Sequence, residues 1–249
     1  MTLFTGRIAI LAFLLLSLLP LPAAAELDLV ALIRNVEQQY WGVSSHAFVQ
    51  MRVRTDRWQR TMEMESWSLG RERFLTRILS PAKEKGVTTL KVDDQVWNYL
   101  PKVDRTMKIP PSLMGGAWMG SHITNDDLVK ADKVDQDYSF RLLEETAADW
   151  RVECLPNPDA AVIWGKIIYL IDKPSRTPLE VAYYDEAGVR VRRMLFSQLT
   201  RVGDRMVPLT LTVIPDDKPD ESTEMIYRDL SFDVPLDASF FSLRNLKGR

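Results

Sequence analysis

The chain has 249 residues, 32 basic and 34 acidic side chains, a net charge of -2 and 46% hydrophobic residues. That is too apolar and too evenly charged for a disordered protein, and a pI near 5.8 argues against a polybasic nucleic-acid binder. The lone Cys154 excludes an internal disulfide framework or a multi-cysteine metal site, and His46 and His122 leave little for a histidine-based metal site or triad.

Residues 1–25 read as a secretory signal peptide. Arg7 supplies the positive start, residues 8–19 (IAILAFLLLSLL) the apolar run, and Pro20 and Pro22 end it. Ala23, Ala24 and Ala25 then offer small residues before Glu26. A run of about 12 residues is short of the roughly 20 that a membrane span needs. No cysteine stands near the cleavage point to carry a lipid anchor. The expected product is cleaved after Ala25 and comprises residues 26–249, read as one domain and, in a diderm bacterium, as periplasmic.

The next element is a helix. Leu29, Leu32, Ile33, Val36 and Tyr40 form one apolar stripe of helical period, with Asp28 as N-cap and Gly42 as stop. Such a stripe covers ordinary core or plugs the mouth of a curved sheet. Beyond Val43 the pattern is mostly β. Strands are expected at 47–54, 60–69, 71–79, 86–92, 95–100 and 105–109, then at 138–145, 150–155, 164–172, 179–185, 189–200, 205–214 and 222–230. Turn chemistry separates them at Gly70, Asp93-Asp94, Asn157-Pro158-Asp159 and Gly203-Asp204. About a dozen strands at this spacing predict a mainly β (α+β) fold with one large antiparallel sheet or barrel. Residues 96–100 and 167–171 are apolar on both faces, which requires cover on both sides. A sheet curled around a cavity and a filled sandwich both meet that requirement.

Residues 110–130 (PPSLMGGAWMGSHITNDDLVK) interrupt the β pattern. Pro110 and Pro111 stop a strand and Gly115, Gly116 and Gly120 loosen the backbone, yet Leu113, Met114, Trp118 and Met119 are large and apolar. Thr124 followed by Asp126 and Asp127 has the form of a helix start. The segment reads either as a mobile lid over an apolar cavity or as a loop held on the sheet by its own hydrophobes.

Catalytic constellations are thin. Asp93-Asp94 and Asp126-Asp127 are adjacent carboxylates, better explained by turns and helix capping than by acid–base work. Ser121-His122 lacks a nucleophile elbow, and Cys154 has the setting of a small buried hydrophobe. The expectation is a protein that is not an enzyme and holds no metal or cofactor. The arginine-rich stretch 52–77, interleaved with Trp58, Trp67 and Phe74, reads as exposed strand faces, or as a patch for an acidic partner or lipid head groups.

The run 96–101 (VWNYLP), then Asp104-Arg105, then 114–116 (MGG) through 120–128 (GSHITNDDL), resembles the outer-membrane lipoprotein-sorting protein family of the LolA-like superfamily. Residues 236–243 (LDASFFSL) resemble the family's closing segment. The resemblance implies an incomplete, strongly curved antiparallel β-barrel, with helices and a lid loop closing the open side over an apolar cavity for acyl chains. It implies a periplasmic carrier or chaperone for lipoprotein acyl chains or other lipids, passing them toward the outer membrane, with a resistance-nodulation-division type exporter as a candidate partner. The alternative is a sensor or adaptor domain that binds a protein such as an exporter subunit or envelope regulator; a hydrolase acting on lipid ranks third. Nucleic acid is not expected as a partner, and a monomer is.

Cavity or lid residues are sought among Trp67, Trp97, Tyr99, Met107, Ile109, Leu113, Met114, Trp118 and Met119. Arg105, Asp126 and Asp127 are expected to anchor the lid, with Arg105 reaching a carbonyl or the Asp126-Asp127 turn.

Overall fold

In β1 (Ser44–Arg54), Ala47, Val49, Met51 and Val53 are buried while their neighbours point away, so one face of the strand is sealed. The same logic extends through a computed structural model that describes residues 27–130 and 133–248; the expected signal peptide lies outside the described residues. The first half continues through β2 (Gln59–Leu69), β3 (Arg73–Ser80), β4 (Thr88–Val92), β5 (Gln95–Leu100) and β6 (Arg105–Lys108). The second half comprises β7 (Tyr138–Glu145), β8 (Asp149–Pro156), β9 (Lys166–Asp172), β10 (Pro178–Tyr184), β11 (Arg190–Val202), β12 (Arg205–Pro215) and β13 (Ser222–Phe232).

These strands form one antiparallel sheet in the order β6-β5-β4-β3-β2-β1-β13-β12-β11-β10-β9-β8-β7, curved and not closed. Two meanders therefore meet at the β1–β13 seam, where Ala47 opposes Leu230 and Val49 opposes Tyr227 across a bulge. The outermost strands, β6 and β7, are consecutive in sequence. The chain between them, residues 109–137, consequently runs from one edge of the sheet to the other.

Three apolar clusters hold the sheet. Helix α1 (Leu29–Glu37), capped by the Asp28 carboxylate on the Ala31 amide at 2.9 Å, lays Leu32, Ile33 and Val36 on Val152, Cys154, Ile167, Tyr169 and Val181. The connecting segment puts Trp118 and Ile123 on Ala47, Val49, Met62, Met64 and Ile78. A third cluster lies on the opposite face. There the turn Ala238–Phe240 and a short C-terminal helix (Leu243–Leu246) bring Phe241 and Leu246 onto Leu75, Leu90 and Tyr99. Fully burying a side chain of this kind contributes about 1.5–3 kcal/mol, so both faces contribute substantially to stability. Among the described residues no helix is long and apolar enough to cross a membrane.

Candidate functional site

Between α1 and the connecting segment the concave face keeps a cavity of about 250 Å³. Its apolar wall is built from strand residues of one parity: Val49 and Met64 beside the seam, Leu211, Met225 and Tyr227 across it, and Met194, Phe196 and Val181 beyond. Val36, Tyr40 and Trp41 close it from the α1 side, and Trp118, Ile123 and Leu128 from the connecting segment. Ile163, also at the wall, is 45% exposed.

Part of the floor is polar. Ser45 and Ser68 place their hydroxyl oxygens 2.6 Å apart, and Ser66 and Thr76 place theirs 2.8 Å apart; all four residues line the cavity. They neighbour one another because Ser45 opposes Ser68 and Ser66 opposes Thr76 in the ladders. Glu37 and Asp126 also line it. Tyr169 on β9 donates to Glu37 at 2.6 Å, which ties the end of α1 to the sheet. Tyr40 stacks on Tyr227 at 4.9 Å and donates to the Pro208 carbonyl at 2.6 Å. Burial pushes the Tyr227 phenol up to about 12, so it remains a neutral donor in ordinary buffers.

The connecting segment is fixed by its own turn and by three side-chain anchors. Met119 and Gly120 both adopt positive φ, which reverses the chain between Trp118 and Ile123. The Trp118 amide then bonds the Ile123 carbonyl at 2.7 Å. The Trp118 ring is 4% exposed and donates through Nε1 to Thr89 Oγ1 at 3.1 Å. His122 reaches β13, with Nδ1 2.9 Å from Thr223 Oγ1 and Nε2 3.0 Å from Glu221.

Helix α2 (Asn125–Lys130) starts in a capping box. The Asp127 carboxylate accepts the Thr124 amide at 2.7 Å and its hydroxyl at 2.8 Å, while Thr124 Oγ1 accepts the Asp127 amide at 3.1 Å. Both Asp127 oxygens also take the guanidinium of Arg192 from β11, 5% exposed and stacked on Trp164 and Tyr183 at 4.7 and 4.6 Å. Burial works against the charge of Arg192, but the carboxylate of Asp127 outweighs it and raises the arginine above its ordinary value.

Of the sequence-expected residues, Trp118, Asp126 and Asp127 line the cavity. Met119 packs beside the same cluster as Trp118. Trp67, Trp97 and Tyr99 do not join them. They lie in the opposite-face cluster, where Trp67 meets Phe240 at 5.5 Å. Register explains this: Met62, Met64, Ser66 and Ser68 form the inward set of β2, so Trp67 points out. Met107, Ile109 and Met114 are half-buried and Leu113 is 58% exposed; none lines the cavity. Arg105 is exposed on the edge strand β6, and the arginine that grips Asp127 is Arg192. A charged residue in the run Arg190-Val191-Arg192-Arg193 has the look of an exposed strand face, so sequence reasoning missed it. The stripe residue Tyr40 was the available signal for the α1 side.

The buried Cys154 thiol is pushed well up by desolvation. His122 has both ring nitrogens engaged, and among the described residues no cluster of three His, Cys, Asp or Glu could hold a metal ion.

A family model described as an uncharacterized protein matches residues 70–248. Solved structures share the fold, among them the following three. An outer membrane lipoprotein-sorting protein domain from Vibrio parahaemolyticus is 24% identical with a TM-score of 0.76, over 88% of this chain and 97% of that one. A DUF1329 family protein from Desulfovibrio piger is 20% identical with a TM-score of 0.77, over 87% and 97%. A LolA superfamily protein from Nitrosomonas europaea is 17% identical with a TM-score of 0.70, over 86% and 97%. No curated protein matches in sequence.

Proposed function

We propose that this chain, which belongs to the family whose model matches residues 70–248 and has the fold of LolA-like proteins, is a periplasmic, non-enzymatic carrier for acyl chains of lipoproteins or other lipids. In this reading residues 1–25 direct export and are removed after Ala25, residues 26–249 form one carrier domain, and the cargo moves toward the outer membrane. The observation that carries the proposal is the apolar cavity between α1 and the connecting segment, walled by Val49, Met64, Met194, Phe196, Leu211 and Met225. Each methylene taken from water into such a wall is worth about 0.8 kcal/mol. A chain that must cross an aqueous space therefore needs a container, and the container must open again. Methionines suit both demands, because they re-pack around different chains at little cost.

The size of the cavity supports a movable cover. About 250 Å³ is below the roughly 300–1,000 Å³ of most small-molecule sites, so a long chain enters only if the segment around Trp118 lifts. Residues 110–130 then act as the lid, with Asp127 and Arg192 as its clamp. An exporter of the resistance-nodulation-division type is retained as a candidate donor or acceptor. The test is extraction of the purified protein for bound lipid by mass spectrometry, together with uptake of a neutral fluorescent acyl probe. Co-purifying acylated lipid and saturable uptake support the carrier. An empty protein that takes up no probe refutes it.

A further inference from the structure

From the four hydroxyls on the cavity floor we infer that the site recognises the carbonyl of an acyl ester or amide, and not the hydrocarbon chain alone. This inference rests on the carrier reading and specifies its ligand. A purely apolar container gains nothing from hydroxyls in its floor, since a buried hydroxyl without a partner carries a desolvation cost. Ser45, Ser68 and Thr76 are nonetheless buried, and Ser66 is half-buried between them. They stand in adjacent rows of β1, β2 and β3, with Ala47 opposite Ser66 and Phe74 opposite Ser68 completing the rows. Val49 and Met64, one row further along, return the wall to apolar character.

The count of hydrogens gives the direction of recognition. Two hydroxyls hold two hydrogens, and one bond between them uses one. Each pair, Ser45 with Ser68 and Ser66 with Thr76, keeps a second hydroxyl hydrogen for which the described residues show no acceptor. The floor thus presents two donors into the cavity. An ester or amide carbonyl is an acceptor with two lone pairs, placed at the head of a chain that the apolar wall covers. The Trp118 ring stands over the same end, held by Thr89, the ladder neighbour of Thr76 on β4. A ligand seated on the hydroxyls would therefore lie directly under the cover.

The experiment compares three neutral probes of equal chain length, methyl decanoate, N-methyl decanamide and dodecane, as displacers of a neutral fluorescent probe from the purified full chain. The expected result is that ester and amide bind about tenfold more tightly than the alkane, the scale of a hydrogen bond in a dry site. In the quadruple variant Ser45→Ala/Ser66→Ala/Ser68→Ala/Thr76→Val, which removes every hydroxyl of both pairs, circular dichroism checks the fold, and the ester should fall to the alkane's affinity or below while the alkane is unchanged or improved. A merely structural role would move all three probes together and overturns the inference. Equal binding of ester and alkane to the unaltered protein also overturns it, and leaves the carrier reading standing. Failure of every probe to bind overturns the carrier reading and this inference together.

Discussion

Replacing Asp127 by Asn tests what holds the segment across the mouth of the sheet. The carboxylate accepts two bonds from Thr124 and two from the guanidinium of Arg192, which is itself nearly excluded from water. An amide of the same shape keeps one acceptor, but turns an N–H₂ toward the guanidinium and leaves its charge buried without a counter-charge. Breaking one partner of such a pair costs about 3–5 kcal/mol. Even 3 kcal/mol confined to the segment raises its open population roughly a hundredfold. Arg192→Met retains an apolar stem against Trp164 and Tyr183 while removing the charge, so the double variant should recover about 2–3 kcal/mol relative to the sum of the singles. Urea denaturation gives the coupling energy, and amide hydrogen exchange over residues 116–129 reports local opening. Single losses under about 1 kcal/mol, with coupling under about 0.5 kcal/mol and no faster exchange, would refute the idea that this ion pair is the clamp.

Three further outcomes are expected. Asp135 accepts from Arg34 at 2.7 Å and faces Arg71 at 3.4 Å. Burial favours its neutral acid, but the hydrogen bond and charges of the two arginines prevail and hold it below the usual carboxylate range. Its contribution is therefore complete above the unfolded value of about 3.9 and lost as pH falls through the lower folded value. Asp135→Asn should cost about 1–2 kcal/mol at pH 7, discounted because Arg34 is half exposed, and the difference from the unaltered protein should shrink below about pH 4 in pH-dependent urea melts. Ala47→Leu adds bulk from the cavity floor and should lower acyl-probe affinity about tenfold, with stability changing by no more than about 1–3 kcal/mol. Leu246→Ala, on the opposite face, should cost about 2–5 kcal/mol of stability and leave probe affinity of the folded protein unchanged; a matching loss of affinity would mean that the two faces are coupled.

The strands were legible because their periodicity is local. Residues 60–69 and 189–200 were expected to be extended, and the structure has Gln59–Leu69 and Arg190–Val202. The helix at Leu29 was equally plain, although it ends at Glu37 and leaves Tyr40 in the following turn. The inner face of the sheet was not legible. Alternation shows that two faces exist, but the C-terminal turn and helix make the outer face of β2–β5 as apolar as the inner one. Trp67 beside Ser66 and Ser68 consequently had the look of the inward residue, while the hydroxyls resembled solvent-facing positions. The grip of Arg192 on Asp127 joins residues 65 apart in the chain, and no spacing rule links a strand arginine to a helix cap.

The seam between β1 and β13 has a bearing on how the molecule comes into being. Within each meander every strand finds its partner next door in sequence, whereas Ser45 must find Phe232 and Arg54 must find Ser222. Such distant encounters are slow, because the entropy of closing a long loop is spent before any pairing rewards it. Ala47 and Val49 stand on one side of that junction and Met225 and Tyr227 on the other, so neither meander owns a container by itself. A ribosome that has released only the first meander has made a ribbon with both greasy sides bare, since Phe241 and Leu246 are also still to come, and the hollow comes into existence when the final long strand docks.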